Sequence, residues 1–295
     1  MGGGSTIDCA KAISLQSKYD GDFWTDFYIK GRRDLIKEVT PVASILTLAA
    51  TGSEMNSNSV ISKMDENMKV GFSYEGIKPV FSVEDPEYTY SVNKYQTCAG
   101  AIDIMSHLFE QYFSAEKDGF MQNRMIEGLL KTIIHFAPIA IENPRDYEAR
   151  ANIMWTSSLA LNELVTYGKK STDWATHQIE HQLSAVYDIT HGIGLGILTP
   201  AWMKYVLCEE NIHRFVDYGK NIWNLSGSDW EIAEKSIEKT REFFISLGCP
   251  ASLSEINIDD SHFEEMAKNA VFRGPVGSMK KLTEKDIFEI YKLAL

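Results

Sequence analysis

Cysteine is scarce in this 295-residue sequence, and positive charge is outweighed by negative charge. The four cysteines, Cys9, Cys98, Cys208 and Cys249, lie far apart and form no CxxC pair. Their spacing excludes a disulfide framework and a zinc ribbon, and is typical of incidental thiols in a reducing compartment. The formal net charge is −12 and no long basic run is present. This acidity argues against the phosphate backbone of nucleic acid as a main partner.

Long apolar runs are also absent. No stretch reaches the roughly 20 residues that a membrane span requires, and no charged segment followed by an apolar run marks a secretory signal. The hydrophobic share of 44% and the charged share of 24% are ordinary for a globular protein. We therefore expect a cytoplasmic protein whose partners are small molecules, with neither nucleic acid nor a membrane among them.

The hydrophobic pattern of the sequence changes near residue 95. Before that point, a helix is predicted over 4–17, and short β-branched segments predict strands at 42–48, 59–63 and 79–83. Beyond it, apolar residues recur at three- and four-residue spacing. This pattern predicts helices at 94–113, 119–136, 147–167, 173–187, 193–207, 210–223, 229–247, 261–272 and 283–295. The sequence thus divides into an α/β part, residues 1–95, and a helical part, residues 96–295.

Four of the seven histidines cluster in two segments of the helical part. Asp103 and His107 are four residues apart and share one helical face, as do His177 and His181. His191 follows at a predicted helix junction. Each residue alone is typical of a core histidine or a surface ion pair, but together they indicate a divalent-metal or catalytic site. The set exceeds what a tetrahedral site needs, so one imidazole is a candidate for proton transfer, and the spacing does not say which.

Two further segments have the composition of a nucleotide-binding site. The turn at 2–5 (GGGS) precedes a helix, where backbone N–H groups and the helix dipole favour a phosphate. The segment 47–54 (TLAATGSE) follows a predicted strand and presents three hydroxyl groups and a glycine. Glycine-serine runs also occur in linkers, and hydroxyl groups also cap helices, so these segments indicate a phosphate or ribose site without proving one.

Five segments together resemble the iron-dependent (group III) alcohol dehydrogenase family, and within it the butanol dehydrogenases and the NADPH-dependent aldehyde reductases. The segments are GGGSTIDCAKAIS, LTLAATGSEMNSNSVIS, PVFSVEDPEYTYSV, GAIDIMSHLFEQY and DWATHQIEHQLSAVYDITHG. The resemblance implies a dehydroquinate synthase-like fold. A truncated Rossmann-like nucleotide-binding domain would be followed by an all-α domain that binds metal and performs catalysis.

The resemblance also implies the roles of individual residues. Asp103, His107, His177 and His191 match the ligands of Fe²⁺ or Zn²⁺, and His181 matches a proton-transfer residue near the nicotinamide. The residues that match cofactor contacts are Gly3, Gly4, Ser5, Asp8, Thr47, Leu48, Thr51, Ser53 and Lys69. A small alcohol or aldehyde substrate, NADP(H) ahead of NAD(H), and a homodimer are expected on the same ground.

One departure from the family accompanies this resemblance. Family members carry strands and helices ahead of the glycine turn, including a cofactor-binding turn and residues that choose NAD or NADP. The sequence begins at that turn, so we expect an incomplete cofactor site. A non-catalytic, metal-binding remnant is therefore a second hypothesis. A sugar-phosphate lyase of the dehydroquinate synthase fold is a third, although the Asp103–His107 helix and the TGSE stretch favour the dehydrogenase.

Overall fold

The computed structural model describes all 295 residues as a small α/β part followed by a bundle of helices. The strands are β1 (Ala43–Ile45), β2 (Asn58–Lys63), β3 (Met68–Ser73) and β4 (Phe81–Val83). The helices are α1 (Gly4–Gln16), α2 (Lys94–Tyr112), α3 (Phe120–Glu142), α4 (Tyr147–Ala160), α5 (Ala175–Tyr187), α6 (His191–Val206), α7 (Ile212–Trp223), α8 (Asp229–Ser246), α9 (Phe263–Ala270) and α10 (Glu284–Ala294). None of these helices combines the length and the apolarity needed to traverse a bilayer.

The strands form two pairs. β1 lies parallel to β4, and β2 and β3 form an antiparallel hairpin in which Asn58 is opposite Ser73 and Lys63 is opposite Met68. Gly2 extends the parallel pair, because its N–H donates to Ile45 O and its carbonyl accepts from the N–H of Thr47. These two bonds hold the glycine turn beside the end of β1, where the segment 47–54 begins.

Most of the predicted elements are confirmed, with shifts at their ends. The predicted strand 42–48 is shortened to Ala43–Ile45. The predicted helix 147–167 ends at Ala160, and Glu163 in the loop that follows takes a left-handed conformation with φ of 73°. Helix α3 continues to Glu142 and contains Pro138. Strand β3 was not predicted, although Val70 and Phe72 alternate on its buried face.

The core has two parts. The larger cluster of 53 buried apolar residues lies among the helices and also takes in Ile7, Leu46 and Ala49. The smaller cluster of 8 lies beneath the β2–β3 hairpin: Ala12, Leu15, Trp24, Phe27, Tyr28, Val70, Phe72 and Ile77. Helix α2 is central to the larger cluster, since every residue from Thr97 to Tyr112 is buried. The predicted domain boundary at residues 95–96 falls at the start of this helix and stays a prediction.

Candidate active site

A cleft of about 1290 Å³ opens between the α/β part and the helices. Twelve of the predicted site residues line it: Gly4, Ser5, Asp8, Leu48, Thr51, Ser53, Lys69, Asp103, His107, His177, His181 and His191. The other two, Gly3 and Thr47, line a second pocket of about 820 Å³ that shares Leu48 and Gln96 with the cleft. The structure therefore brings the two halves of the predicted site to one place.

Three of the predicted metal ligands, all histidines, surround one oxygen of the fourth, Asp103. Asp103 Oδ1 lies 3.7 Å from His107 Nδ1, 3.7 Å from His177 Nε2 and 3.7 Å from His191 Nε2. Asp103 Oδ1, His107 Nδ1 and His177 Nε2 are all buried and have no hydrogen-bond partner. Buried polar atoms are nearly always paired, and a cation between these atoms would pair all of them. Three imidazole nitrogens and one carboxylate suit Fe²⁺ or Zn²⁺, so the residues fit a metal ion.

A close approach of two helices produces this convergence. A Cβ on Gly192 would lie only 1.9 Å from Ala99 O, so glycine allows the start of α6 to press against α2. His191, the first residue of α6, is thereby brought beside Asp103 on α2. Gly100 has a similar role on the other side of α2, because a Cβ there would lie 2.4 Å from Ala49 O.

His181 lies outside the set around Asp103. Its ring centroid is 5.5 Å from that of His191, and its side chain lines the cleft. Burial, reinforced by the nearby charge of Lys69, lowers the pKa of His181 well below its ordinary value. A neutral imidazole at the cleft surface can accept a proton. The proton-transfer role of His181 stays a prediction.

Two buried glutamates, which sequence reasoning missed, orient the histidines. Glu110 Oε1 accepts hydrogen bonds from the backbone N–H of His177 at 2.9 Å and from its Nδ1 at 3.0 Å. Glu180 Oε2 accepts from His191 Nδ1 and lies 3.5 Å from Lys69 Nζ. The sequence contains a signal for these glutamates, because Glu110 and Glu180 each follow a predicted metal ligand by three residues, about one helical turn. Carboxylates that hold the second nitrogen of a metal-binding histidine are common in metal sites.

The charges of the cluster also favour a divalent cation. Asp103, Glu110 and Glu180 are at most 2% exposed, and Lys69 is the one lysine in contact with them. Burial would raise the pKa of Asp103, but the charges of the surrounding histidines hold it below its ordinary value. Burial likewise opposes the charged form of His177, yet the negative charges of Asp103 and Glu110, together with the hydrogen bond to Glu110, raise its pKa to about 9. The carboxylates thus favour positive charge at this point.

The cofactor side of the cleft is tightly packed. A Cβ on Gly4 would lie 2.4 Å from Thr51 Oγ1, so glycine is needed where the turn meets the segment 47–54. The Asp8 carboxylate is only 7% exposed, and it accepts hydrogen bonds from Ser53 Oγ and, at 2.8 Å, from the N–H of Val60. Asp8 and Ser53 therefore hold α1 against the loop and the hairpin. Their predicted cofactor contacts, like those of the other residues, stay predictions.

Helix α5, which carries His177 and His181, has unusual ends. Trp174 before it and Asp188 after it both adopt left-handed conformations, with φ of 67° and 50°. A bulky residue in this region costs on the order of 1–3 kcal/mol and is found where the surroundings enforce it. The Trp174 indole lies against two histidines, with its centroid 5.4 Å from that of His177 and 6.3 Å from that of His107.

The comparisons with known proteins agree with this geometry. Residues 97–295 match the C-terminal model of the Fe-containing alcohol dehydrogenase family, and residues 1–86 match the model of iron-containing alcohol dehydrogenase. NADH-dependent butanol dehydrogenase B of Clostridium acetobutylicum is 48% identical over 297 residues, covering 99% of this chain and 75% of that protein. The NADPH-dependent aldehyde reductase YqhD of Escherichia coli is 37% identical, covering 91% of this chain and 69% of that protein.

A solved structure shows the same fold. NADH-dependent butanol dehydrogenase A from Thermotoga maritima has a TM-score of 0.95 and 37% identity, over 99% of this chain and 75% of that one. The predicted fold class, a dehydroquinate synthase-like α/β part followed by an α domain, is confirmed. By sequence over nearly its whole length and by structure, this chain belongs to the iron-containing alcohol dehydrogenase family.

Proposed function

We propose that this chain is a metal-dependent, NAD(P)-linked alcohol dehydrogenase or aldehyde reductase. The observation that carries the proposal is the meeting of Asp103, His107 and His177 through buried atoms that lack hydrogen-bond partners. These atoms face the same cleft as the glycine turn and Lys69. Membership of the family supports the same reaction, and the names of the relatives include both alcohol and aldehyde chemistry.

The metal ligands in this proposal are Asp103, His107, His177 and His191. Three nitrogens and one oxygen accept either Fe²⁺ or Zn²⁺, with selection depending on availability as well as affinity. When bound, a divalent cation supplies a Lewis acid beside the substrate oxygen. Glu110 and Glu180 would hold the imidazole rings of His177 and His191 with Nε2 facing Asp103.

His181 is the proposed proton-transfer residue. It lines the cleft beside His191 without joining the set around Asp103. Because burial lowers its pKa, its imidazole is neutral near pH 7. A neutral imidazole has a lone pair that can accept a proton when an alcohol is oxidised, and its lowered pKa makes the protonated ring a stronger acid that returns the proton to the substrate oxygen in the reverse direction.

The cofactor would lie along the α/β side of the cleft. Its pyrophosphate suits the turn at Gly3, Gly4 and Ser5, where α1 begins, and the nicotinamide supplies or takes up the hydride. The other proposed contacts are Asp8, Thr47, Leu48, Thr51, Ser53 and Lys69. We expect NADP(H) to be preferred to NAD(H). Because the names of the relatives divide between NADH and NADPH, the assay is run with each cofactor.

The proposal also includes a cellular location, an oligomeric state and a substrate class. The absence of any CxxC pair among the four cysteines supports a reducing compartment, so we place the protein in the cytoplasm. The family resemblance supports a homodimer, which light scattering of the purified protein would test. A small alcohol or aldehyde is the proposed substrate.

The test is reduction of butanal by the purified chain with NADPH and, separately, NADH, after loading with Fe²⁺ or Zn²⁺. His177→Ala serves as the control. Metal-dependent turnover that is lost in the control would support the proposal. Absence of turnover in wild-type protein that binds one metal ion per chain would refute it and favour a metal-binding protein without this activity.

A further inference from the structure

Trp174 occupies a wall of the cleft directly beside the proposed metal ligands. Its indole meets the His177 ring edge to face, at an interplanar angle of 63°, and also approaches His107. Leu161 and Thr166, from the loop after α4, line the cleft with it. This wall belongs to the helical part, whereas the proposed cofactor contacts come from the α/β part. A substrate between the two would therefore lie against the indole.

The indole is held rigidly in this place. Its Nε1 donates to Thr172 Oγ1 at 2.7 Å, which fixes the orientation of the ring. The preceding Asp173 anchors the backbone, because its carboxylate accepts from the N–H groups of Ala175, Ser278 and Met279 at 3.1, 2.6 and 2.7 Å. These bonds keep Trp174 in a left-handed conformation that a tryptophan otherwise rarely adopts. A side chain enforced in this way forms a wall of fixed shape.

We infer that Trp174 is a specificity-determining residue that restricts the cleft to unbranched aliphatic aldehydes and alcohols. The inference rests on the proposed function. An immobile indole whose centroid lies 5.4 Å from that of His177 narrows the space beside the proposed metal, so a methyl branch next to the reacting carbon would meet the ring, whereas an unbranched chain would pass along its face. In an apolar pocket a single methyl group changes discrimination by about 10- to 200-fold, so one wall is sufficient to set the preference.

The experiment compares kcat/KM for butanal and for 2-methylpropanal in metal-loaded wild-type protein, Trp174→Gly and Trp174→Phe. Glycine suits a positive φ, so Trp174→Gly removes the wall without straining the turn. We expect the preference for butanal to fall about tenfold or more in Trp174→Gly and by a smaller factor in Trp174→Phe. Trp155→Ala is the control, because Trp155 is 53% exposed on α4 and does not line the cleft; its ratio should not change.

A second measurement makes the inference independent of turnover. Butanamide and 2-methylpropanamide are unreactive analogues whose binding to the metal-loaded proteins is measured by isothermal titration calorimetry. If wild-type protein has no activity, the proposed function fails, and the ratio of the two dissociation constants decides the question about Trp174. Ratios unchanged in both Trp174 variants would overturn the inference. The inference would also be overturned if both variants bound the metal more weakly and Trp174→Phe kept the wild-type ratio of dissociation constants. Trp174 would then merely support the histidines.

Discussion

Glu110 Oε1 accepts two hydrogen bonds from one residue, the backbone N–H and the Nδ1 atom of His177, at 2.9 and 3.0 Å. The first bond fixes the beginning of α5 against α2, and the second fixes the direction of the imidazole. His177 Nε2 is consequently left facing Asp103 with no hydrogen-bond partner. A carboxylate in this position also raises the basicity of the imidazole as a ligand.

We therefore expect Glu110→Gln to weaken metal binding by about 10- to 100-fold, the usual effect of losing such a partner. Glutamine keeps an acceptor for the N–H groups of His177 but lacks the negative charge. Affinity for Zn²⁺ would be measured by competition with a chelator. Glu142→Gln, an exposed change on α3, is the matched control. Equal affinities in the two variants would contradict the role assigned to Glu110.

Lys69 reaches from β3 to the other side of the cleft, where its Nζ lies 3.5 Å from Glu180 Oε2 and 3.3 Å from His191 Nδ1. Lys69→Met would remove the positive charge that partly compensates the negative charge of Glu180, which is fully buried. We expect the metal-free protein to lose about 1–3 kcal/mol of unfolding free energy, less than the 3–5 kcal/mol of a fully buried pair, because Lys69 is partly exposed.

The same variant has a second, opposite effect. Removing a positive charge near the proposed cation should strengthen metal binding severalfold, since like charges repel more strongly where water is scarce. Urea denaturation and chelator competition measure the two quantities on the same preparation. Lys63→Met, which removes the exposed pair with Glu66, should change neither. A fall in both stability and metal affinity would show that Lys69 acts through the position of His191 and not through its charge.

Lys11 is a fully buried lysine on α1. Its three N–H groups are shared among four oxygens: Ser53 Oγ at 2.9 Å, the carbonyl oxygen and Oδ1 of Asn56 at 2.9 and 3.1 Å, and Asn58 O at 2.7 Å. Lys11→Met would leave these oxygens without their donor and the buried Asp8 carboxylate without a neighbouring positive charge. We expect a loss of about 3–5 kcal/mol, measured by denaturant unfolding. The exposed Lys18→Met should cost far less, and comparable losses would contradict this account.

Lys11 also predicts a dependence of stability on pH. Burial lowers its pKa in the folded protein from 10.5 to about 8. The unfolded chain therefore binds more protons between these pH values, so the contribution of Lys11 to stability rises as the pH increases from about 8 to about 10.5. The difference in unfolding free energy between wild-type protein and Lys11→Met should grow over this interval. A difference that stays constant from pH 8 to 10 would refute the lowered pKa.

Much of the site was predictable because helical periodicity fixes neighbours on one face. The spacing of Asp103 and His107 predicted one half of the metal cluster, and α2 is indeed continuous there. Spacing could not choose between His177 and His181, which share a face of α5. That choice depends on how α5 is fixed against α2, and this follows from the two hydrogen bonds of Glu110 to His177, a contact between segments far apart in sequence.

Other features were missed for a different reason. The alternating apolar residues Val70 and Phe72 of β3 are visible in the sequence. They are only two, and the residue between them is glycine, which is uncommon in strands. The left-handed conformation of Trp174 had no signal at all, because tryptophan has no preference for it. It is imposed by the bonds of Asp173 to Ser278 and Met279, which lie about a hundred residues away in sequence.

Left-handed residues at both ends make α5 a segment of fixed length. Trp174 directly precedes the helix and Asp188 directly follows it, so a residue inserted or deleted within α5 would disturb one of these two left-handed conformations. One extra residue between His177 and His181 would rotate one of them by about 100°, away from the cleft. Natural variation and loop engineering should therefore preserve the length of this stretch of thirteen helical residues.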